Sequence, residues 1–360
     1  LREVPRHGDG VRVEMTTSGE TMAKPPKRRR RFGFLGWLWR IGVGLLILVV
    51  GLAGAGLIFQ ALAMWNDQQE FPAPGELVDV GGYQLHINCV GEGSPTIILD
   101  ALGSGSSASW GLVQPEIAQS TRVCAYDRAG AGWSDRGPRP RDVNQQVREL
   151  HTLLAEARVD GPYVLVGHSF GGRIARVYAK AYPREVVGMA LIDPGTLGDD
   201  PRFPAQWHKD VAAEQRLITV ARWLAPFGVV RLFQPRMEYY DLPPQQAAAS
   251  DSFGATTEFF QTIIDQHRAI SQTLAQEREV KSLGSIPMIV VSATAPDDQV
   301  RRVWTEINGE LAELSTNGVH RVVQGATHEG LVWERDDAQV TNDSIRQVLD
   351  AARTAQPLAR

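Results

Sequence analysis

Val164-Leu165-Val166-Gly167-His168-Ser169-Phe170-Gly171-Gly172 is the stretch that decides the fold of this chain. A short apolar and β-branched run, Tyr163 to Val166, meets Gly167-His168-Ser169-Phe170-Gly171, and a helix-compatible segment follows from Arg173 to Tyr182. Gly-x-Ser-x-Gly between a strand and a helix is a sharp turn that strains the serine and exposes its hydroxyl above the sheet. Glycines two residues to either side let strand and helix approach where a β-carbon would clash. The helix that starts just after Ser169 also points its free N–H groups at the reacting centre. This pattern nominates Ser169 as a nucleophile.

Strands and helices alternate around that turn. Leu77–Val80 and Tyr83–Val90 read as a hairpin around Gly81-Gly82. Thr96–Leu99, Thr121–Tyr126, Tyr163–Val166, Val187–Ile192, Met288–Val291 and Arg321–Val323 read as six more strands. Helical patterns fall at Val143–Ala157, Arg173–Tyr182, Glu306–Leu314 and Thr341–Ala355. Such alternation predicts an α/β fold with a mostly parallel sheet covered on both faces. Between Asp193 and Met288 the chain is too long for a simple crossover. Val211–Phe227, Gln245–Phe260 and Thr262–Ala275 are helix-compatible there, so a helical insertion is expected over about 197–283.

Charge is unevenly placed in the 360 residues, whose net charge is −4. Residues 1–40 carry ten Lys/Arg against four Asp/Glu and read as a disordered basic tail. From Ile41 to Trp65 there is no charged residue, and Gln60 is the one strongly polar side chain. Twenty-five residues at about 1.5 Å each reach about 37 Å, enough to cross a hydrocarbon core of about 30 Å. Cations precede the segment and Asp67 and Glu70 follow it, which places the N-terminus in the cytoplasm and the rest outside. The lipid bilayer is thus the first expected partner. Cleavage near Ala63, in the Ala61-Leu62-Ala63 sequence, would instead give a secreted protein. The Arg28–Arg31 run abuts the membrane segment, and no nucleic-acid partner is expected. Residues 66–76 form a Pro-rich linker to a domain spanning 77–360.

From about Leu77 to Val348 the chain resembles the α/β-hydrolases. Besides the Ser169 turn, Tyr126-Asp127-Arg128-Ala129-Gly130-Ala131-Gly132-Trp133-Ser134 is similar to that family's turn after strand 4. Asp127 and Arg128 are expected to form a fixing ion pair there. Gly325-Ala326-Thr327-His328-Glu329-Gly330 resembles the loop that carries the family's histidine, which nominates His328. The family's acid follows strand 6 or strand 7. That leaves Asp193 after the first of these, and Asp297 or Asp298 after the second.

The resemblance implies an eight-stranded sheet, a helical cap and a Ser-His-Asp triad. The serine attacks while a neutral imidazole takes its proton, and a carboxylate holds the imidazole tautomer. The oxyanion would be met by the Phe170 amide and by a second one from the loop after strand 3. The family's usual His-Gly-x is Asp100-Ala101-Leu102 here, and Leu102 is the candidate donor. Cys89 and Cys124 fall on strands that neighbour one another in the family's sheet, so a disulfide is expected. The substrate class implied is a small-molecule ester or amide. An aminopeptidase or cofactor-free peroxidase would use the same triad, and a non-catalytic binding protein would keep the scaffold. No cofactor or metal is implied, since no Cys/His/Asp cluster has ligand spacing.

Overall fold

The computed structural model describes Arg12, Glu14 and residues 33–195, 200–233, 241–296 and 298–359. Most of the basic tail, and Asp297, lie outside the described residues. The chain divides into two units, Leu1–Val50 and Gly51–Arg360. Helix α1, Phe34–Glu70, contains the apolar segment and is the one described helix long and apolar enough to cross a membrane. It runs past Trp65 because Asn66 to Glu70 tolerate helix, and it stops just ahead of Pro72.

Within the second unit, β1 (Glu76–Asp79) and β2 (Gln84–Val90) form the expected hairpin. Then come β3 (Thr96–Asp100), α2 (Gln114–Ile117), β4 (Val123–Tyr126), α3 (Val143–Glu156), β5 (Tyr163–His168), α4 (Phe170–Ala181) and β6 (Val186–Ile192). The insertion, called the cap below, holds α5 (Ala205–Leu224), α6 (Val229–Phe233), α7 (Pro244–Gly254), α8 (Thr257–Arg268) and α9 (Ile270–Glu277). The chain closes with β7 (Met288–Ala293), α10 (Gln299–Ala312), β8 (Gly318–Val323), α11 (Gly330–Trp333) and α12 (Arg335–Thr354). The sequence reads one helix across Gln245–Phe260. It breaks at Gly254, and Thr256 caps the next helix by accepting from Phe259 N at 3.2 Å.

The eight strands form one sheet in the order β1-β2-β4-β3-β5-β6-β7-β8. Only the β1–β2 and β2–β4 pairs are antiparallel. Side chains alternate across it as strand geometry requires. Ile98, Leu165 and Met189 pack with Val147, Leu150 and Ile174 of α3 and α4 on one face. Ile97, Leu99, Val164 and Val166 pack with Ile345, Val348 and Leu349 of α12 on the other. Cys89 and Cys124 are direct cross-strand partners of β2 and β4 and are joined as a disulfide.

One expected contact is corrected. Asp127 and Arg128 do not pair with each other. Asp127 accepts from Ser107 N at 2.5 Å and Trp133 N at 2.9 Å and lies 3.0 Å from His86 Nδ1. Arg128 reaches Asp100 instead. Consecutive residues leaving a strand project to opposite sides, so the two side chains serve different loops.

Candidate active site

β5, β6 and β8 run parallel, so their C-terminal ends open onto one edge of the sheet. Ligands in such sheets bind beyond that edge. Ser169 follows β5 with φ 53° and ψ −116°, a left-handed conformation that L-residues seldom adopt. The surrounding glycines permit it. A β-carbon on Gly167 would lie 2.4 Å from the backbone of Gly171, and one on Gly171 2.3 Å from Asp100 O.

Asp193 follows β6 and is fully buried, also with positive φ, 42°. His328 Nδ1 lies 2.6 Å from Asp193 Oδ2, and Arg301 Nη1 donates to the same oxygen at 2.5 Å. The other oxygen, Oδ1, accepts from Asn308 Nδ2 at 2.9 Å and more weakly from Ala293 N at 3.4 Å. Burial opposes ionisation of this carboxyl. The hydrogen bond from His328 and the charges of His328 and Arg301 outweigh it, holding Asp193 below the usual carboxylate range.

The histidine loop is pinned from two sides. Thr294 N and Ala295 N, just beyond β7, donate to Ala326 O at 3.1 and 2.8 Å. On the other side His168 Nε2 donates to the carbonyl oxygen of His328 at 2.9 Å. A carbonyl only accepts, so the Nε2 of His168 carries the proton. Burial drives its pKa down to about 3, and the neighbouring His328 adds to the effect. His328 is thereby tied to the residue beside Ser169. Trp304 packs edge-on against its ring at 5.9 Å.

The loop after β3 is fixed by Arg128, which is buried. Its Nη1 donates to Asp100 and to Ala101 O at 2.7 Å, and its Nη2 to Gly103 O and to Leu102 O at 3.0 Å. With those carbonyls held, neither Leu102 N nor Phe170 N donates to an acceptor among the described residues. The free Phe170 amide adjoins the strained serine, and the free Leu102 amide lies on the loop whose Asp100 and Ala101 carbonyls crowd Gly171; such amides can receive an oxyanion.

Of the sequence-nominated acids, Asp193 meets the histidine. Asp298 does not; it caps α10, accepting from Arg301 N at 2.8 Å. Asp297 lies outside the described residues. Reading the sequence missed Arg301, Asn308 and His168. It also missed the chain that runs from Asn308 through Ser292 Oγ, 3.0 Å away, to His320 Nε2 at 2.8 Å from that hydroxyl. One signal was available: the first turn of α10 carries Arg301 and Arg302 and no acid, against the helix dipole. A cavity of about 380 Å³ lies elsewhere, between Met64, Phe71, Trp133, Phe253 and Phe259, and is not lined by Ser169, Asp193 or His328. No three described His, Cys, Asp or Glu side chains converge as metal ligands.

The family model described as "Alpha/beta hydrolase family" matches residues 95–343. An uncharacterised protein of Schizosaccharomyces pombe is 30% identical over 234 residues, covering 62% of this chain and 41% of that protein. The 2-hydroxymuconate semialdehyde hydrolase of a Pseudomonas strain is 34% identical over 130 residues, 35% of this chain and 46% of the relative. The chain thus spans less than half the length of either relative. The haloalkane dehalogenase of Bradyrhizobium elkani superposes with a TM-score of 0.62 at 16% identity, covering 78% of this chain and 99% of that one. At that identity the likeness is one of fold.

Proposed function

Since this chain belongs to the alpha/beta hydrolase family, we propose that it is a membrane-anchored serine hydrolase that cleaves carboxylic esters through an acyl-enzyme. Ser169 is the nucleophile, His328 the general base and then acid, and Asp193 the carboxylate that orients the imidazole. One observation carries the reading: a fully buried Asp193 holds His328 Nδ1 at 2.6 Å in a loop tied to the residue before a strained Ser169.

Chemistry follows from these positions. A proton on Nδ1, held by Asp193, leaves Nε2 of His328 free to accept the serine proton during attack. The carboxylate stabilises the imidazolium that forms, and Arg301 and Asn308 keep it ionised and in place. The carbonyl oxygen gains negative charge and is met by the Phe170 and Leu102 amides, each donor of this kind contributing about 3 kcal/mol. The imidazolium then protonates the leaving alcohol, and a water activated by His328 releases the acid. Serine at the turn suits acyl transfer.

α1 supplies the anchor, with the basic segment on the cytoplasmic side and the hydrolase domain outside. A disulfide between Cys89 and Cys124 agrees with an oxidising compartment. The test is fluorophosphonate labelling of the full chain beside Ser169→Ala, with turnover of p-nitrophenyl esters of graded acyl length. Labelling and turnover are expected in the wild type and not in the variant. A folded wild type that neither labels nor turns over would make the chain a binding protein on this scaffold.

A further inference from the structure

Gln60 interrupts the apolar run of α1, yet it is the one residue of that helix that is buried, at 4% exposure. Its Nε2 donates to Ala255 O at 3.2 Å, and its Oε1 accepts from Arg231 Nε at 3.3 Å. Arg231 continues to Asp67, donating from Nη2 at 2.7 Å. Closer to the start of the helix the contact becomes backbone to backbone. A β-carbon on Gly56 would lie 2.4 Å from Phe227 O, and one on Gly228 2.5 Å from the Phe59 ring. The connection from α5 to α6 at Phe227 and Gly228, and Arg231 of α6, are therefore fastened to α1 between Gly56 and Asp67.

That attachment fixes a depth. Gly56 precedes Trp65 by nine residues, about 13 Å along a helix. Setting the cap clear of the hydrocarbon would require the span to end before Gly56. Only Ile41–Ala55 would then remain, about 22 Å against the roughly 30 Å needed. With Arg40 held at the cytoplasmic boundary, Phe227 and Gly228 therefore sit at or below the lipid boundary on the other side.

The exposed surface beside this attachment is apolar. Leu217, Val220 and Leu224 fall at i, i+3 and i+7 of α5, one helical face, and are 70, 54 and 39% exposed. Leu232 and Phe233 of α6 add to it at 64 and 79%. Trp223 stands beside them under the Arg222 guanidinium, 4.8 Å from its ring centre, a pairing suited to lipid headgroups. α5 buries no residue at all.

We propose that α5 and α6 dock into the membrane that α1 spans, in the leaflet that α1 reaches at its C-terminal end. Leu217, Val220, Leu224, Leu232 and Phe233 enter the acyl region, and Trp223 with Arg222 marks the headgroup boundary. The proposal rests on α1 being a membrane span. It also names the substrate class. The opposite end of α5 carries Trp207, which packs against Trp304, and Trp304 packs against His328. One helix thus leads from the reacting histidine to the lipid boundary, so the ester is a lipid-like one that enters from the bilayer.

The full chain in phosphatidylcholine–phosphatidylglycerol vesicles tests this, with an environment-sensitive fluorophore on a cysteine introduced at Val220→Cys, Leu57→Cys or Asp350→Cys. The native disulfide leaves no competing thiol. The Val220 probe is expected to lose about twofold or more of its emission to doxyl-labelled lipid and little to aqueous iodide, as the Leu57 probe does. The Asp350 probe is expected to do the reverse. A Val220 probe that follows Asp350 while Leu57 follows lipid would overturn the docking and leave the anchor standing. A Leu57 probe open to iodide would remove the anchor and the docking together. Shielding from both quenchers, with energy transfer between differently labelled copies, would mean that a second copy covers the face and would also overturn the proposal. Leu232→Cys repeats the measurement should Val220→Cys fail to fold.

Discussion

The edge of the sheet around Asp193 and the α5–α6 face are held in opposite ways. Asp193 is fully buried, and both of its carboxylate oxygens are occupied by named donors. α5 buries none of its twenty residues and shows large apolar side chains to its surroundings. α8 and α9 lie between these extremes. Thr262 Oγ1 donates to Gly130 O at 2.7 Å, and Arg173 meets both oxygens of Glu277 at 2.9 Å. A group proposed to react needs one geometry and is over-determined, whereas a surface proposed to meet lipid needs composition and little internal packing.

Ser169→Ala should lower turnover of a p-nitrophenyl ester by about 10⁶-fold with the fold intact by circular dichroism. Asp193→Asn should cost about 10⁴-fold through the wrong imidazole tautomer, while Asp298→Asn, in the α10 cap, should change rates only a few-fold. A larger loss at Asp298 would move the acid away from the buried edge.

The pKa of His168 falls from 6.5 unfolded to about 3 folded, so between those values the unfolded chain binds more protons. Its contribution is complete above about pH 6.5 and is lost as pH falls toward 3, a difference of about 5 kcal/mol. Urea unfolding from pH 7 to 4 should show this slope, and His168→Gln should flatten it. Asp193 has the depressed-carboxylate sign. Its contribution is present above its ordinary pKa of 3.8 and fades only below it.

At the far side of the sheet, the Cys89–Cys124 bridge closes a loop with a sequence separation of 35. Its removal by Cys89→Ser with Cys124→Ser should cost about 4 kcal/mol in urea unfolding. Ester turnover at 25 °C should be retained, because the bridge joins strands remote from β6 and β8. The smallest pair isolates the contrast itself. Asn308→Ala should cost about 2 kcal/mol, leaving Asp193 Oδ1 short of a donor in a buried site. Leu217→Gln on α5 should stay within about 0.5 kcal/mol in detergent. Equal effects would erase the distinction between the two regions.

Legibility followed the range of the interactions. The Ser169 turn could be read because the strand, the two glycines and the helix that strain it are all within a few residues. The apolar helix could be read because its run without charge is continuous along the chain. The loop after β3 could be read only in outline. Local sequence pairs Arg128 with the neighbouring Asp127, whereas Arg128 in fact orders this loop. No local rule says that Arg128 reaches back across β3 and β4 to Asp100.

Sequence was enough for the alternating α/β architecture, the strained turn at Ser169 and the apolar helix, since each is enforced by neighbours along the chain. Folding set Asp193 against His328 and left Asp298 at the α10 cap, brought Arg301 to Asp193 from 108 residues away and set Gln60 against Ala255 across 195. Those contacts follow from which strand ends share an edge and which helices meet. Parallel packing sets that arrangement through long-range burial, which leaves no periodic trace in the order of residues.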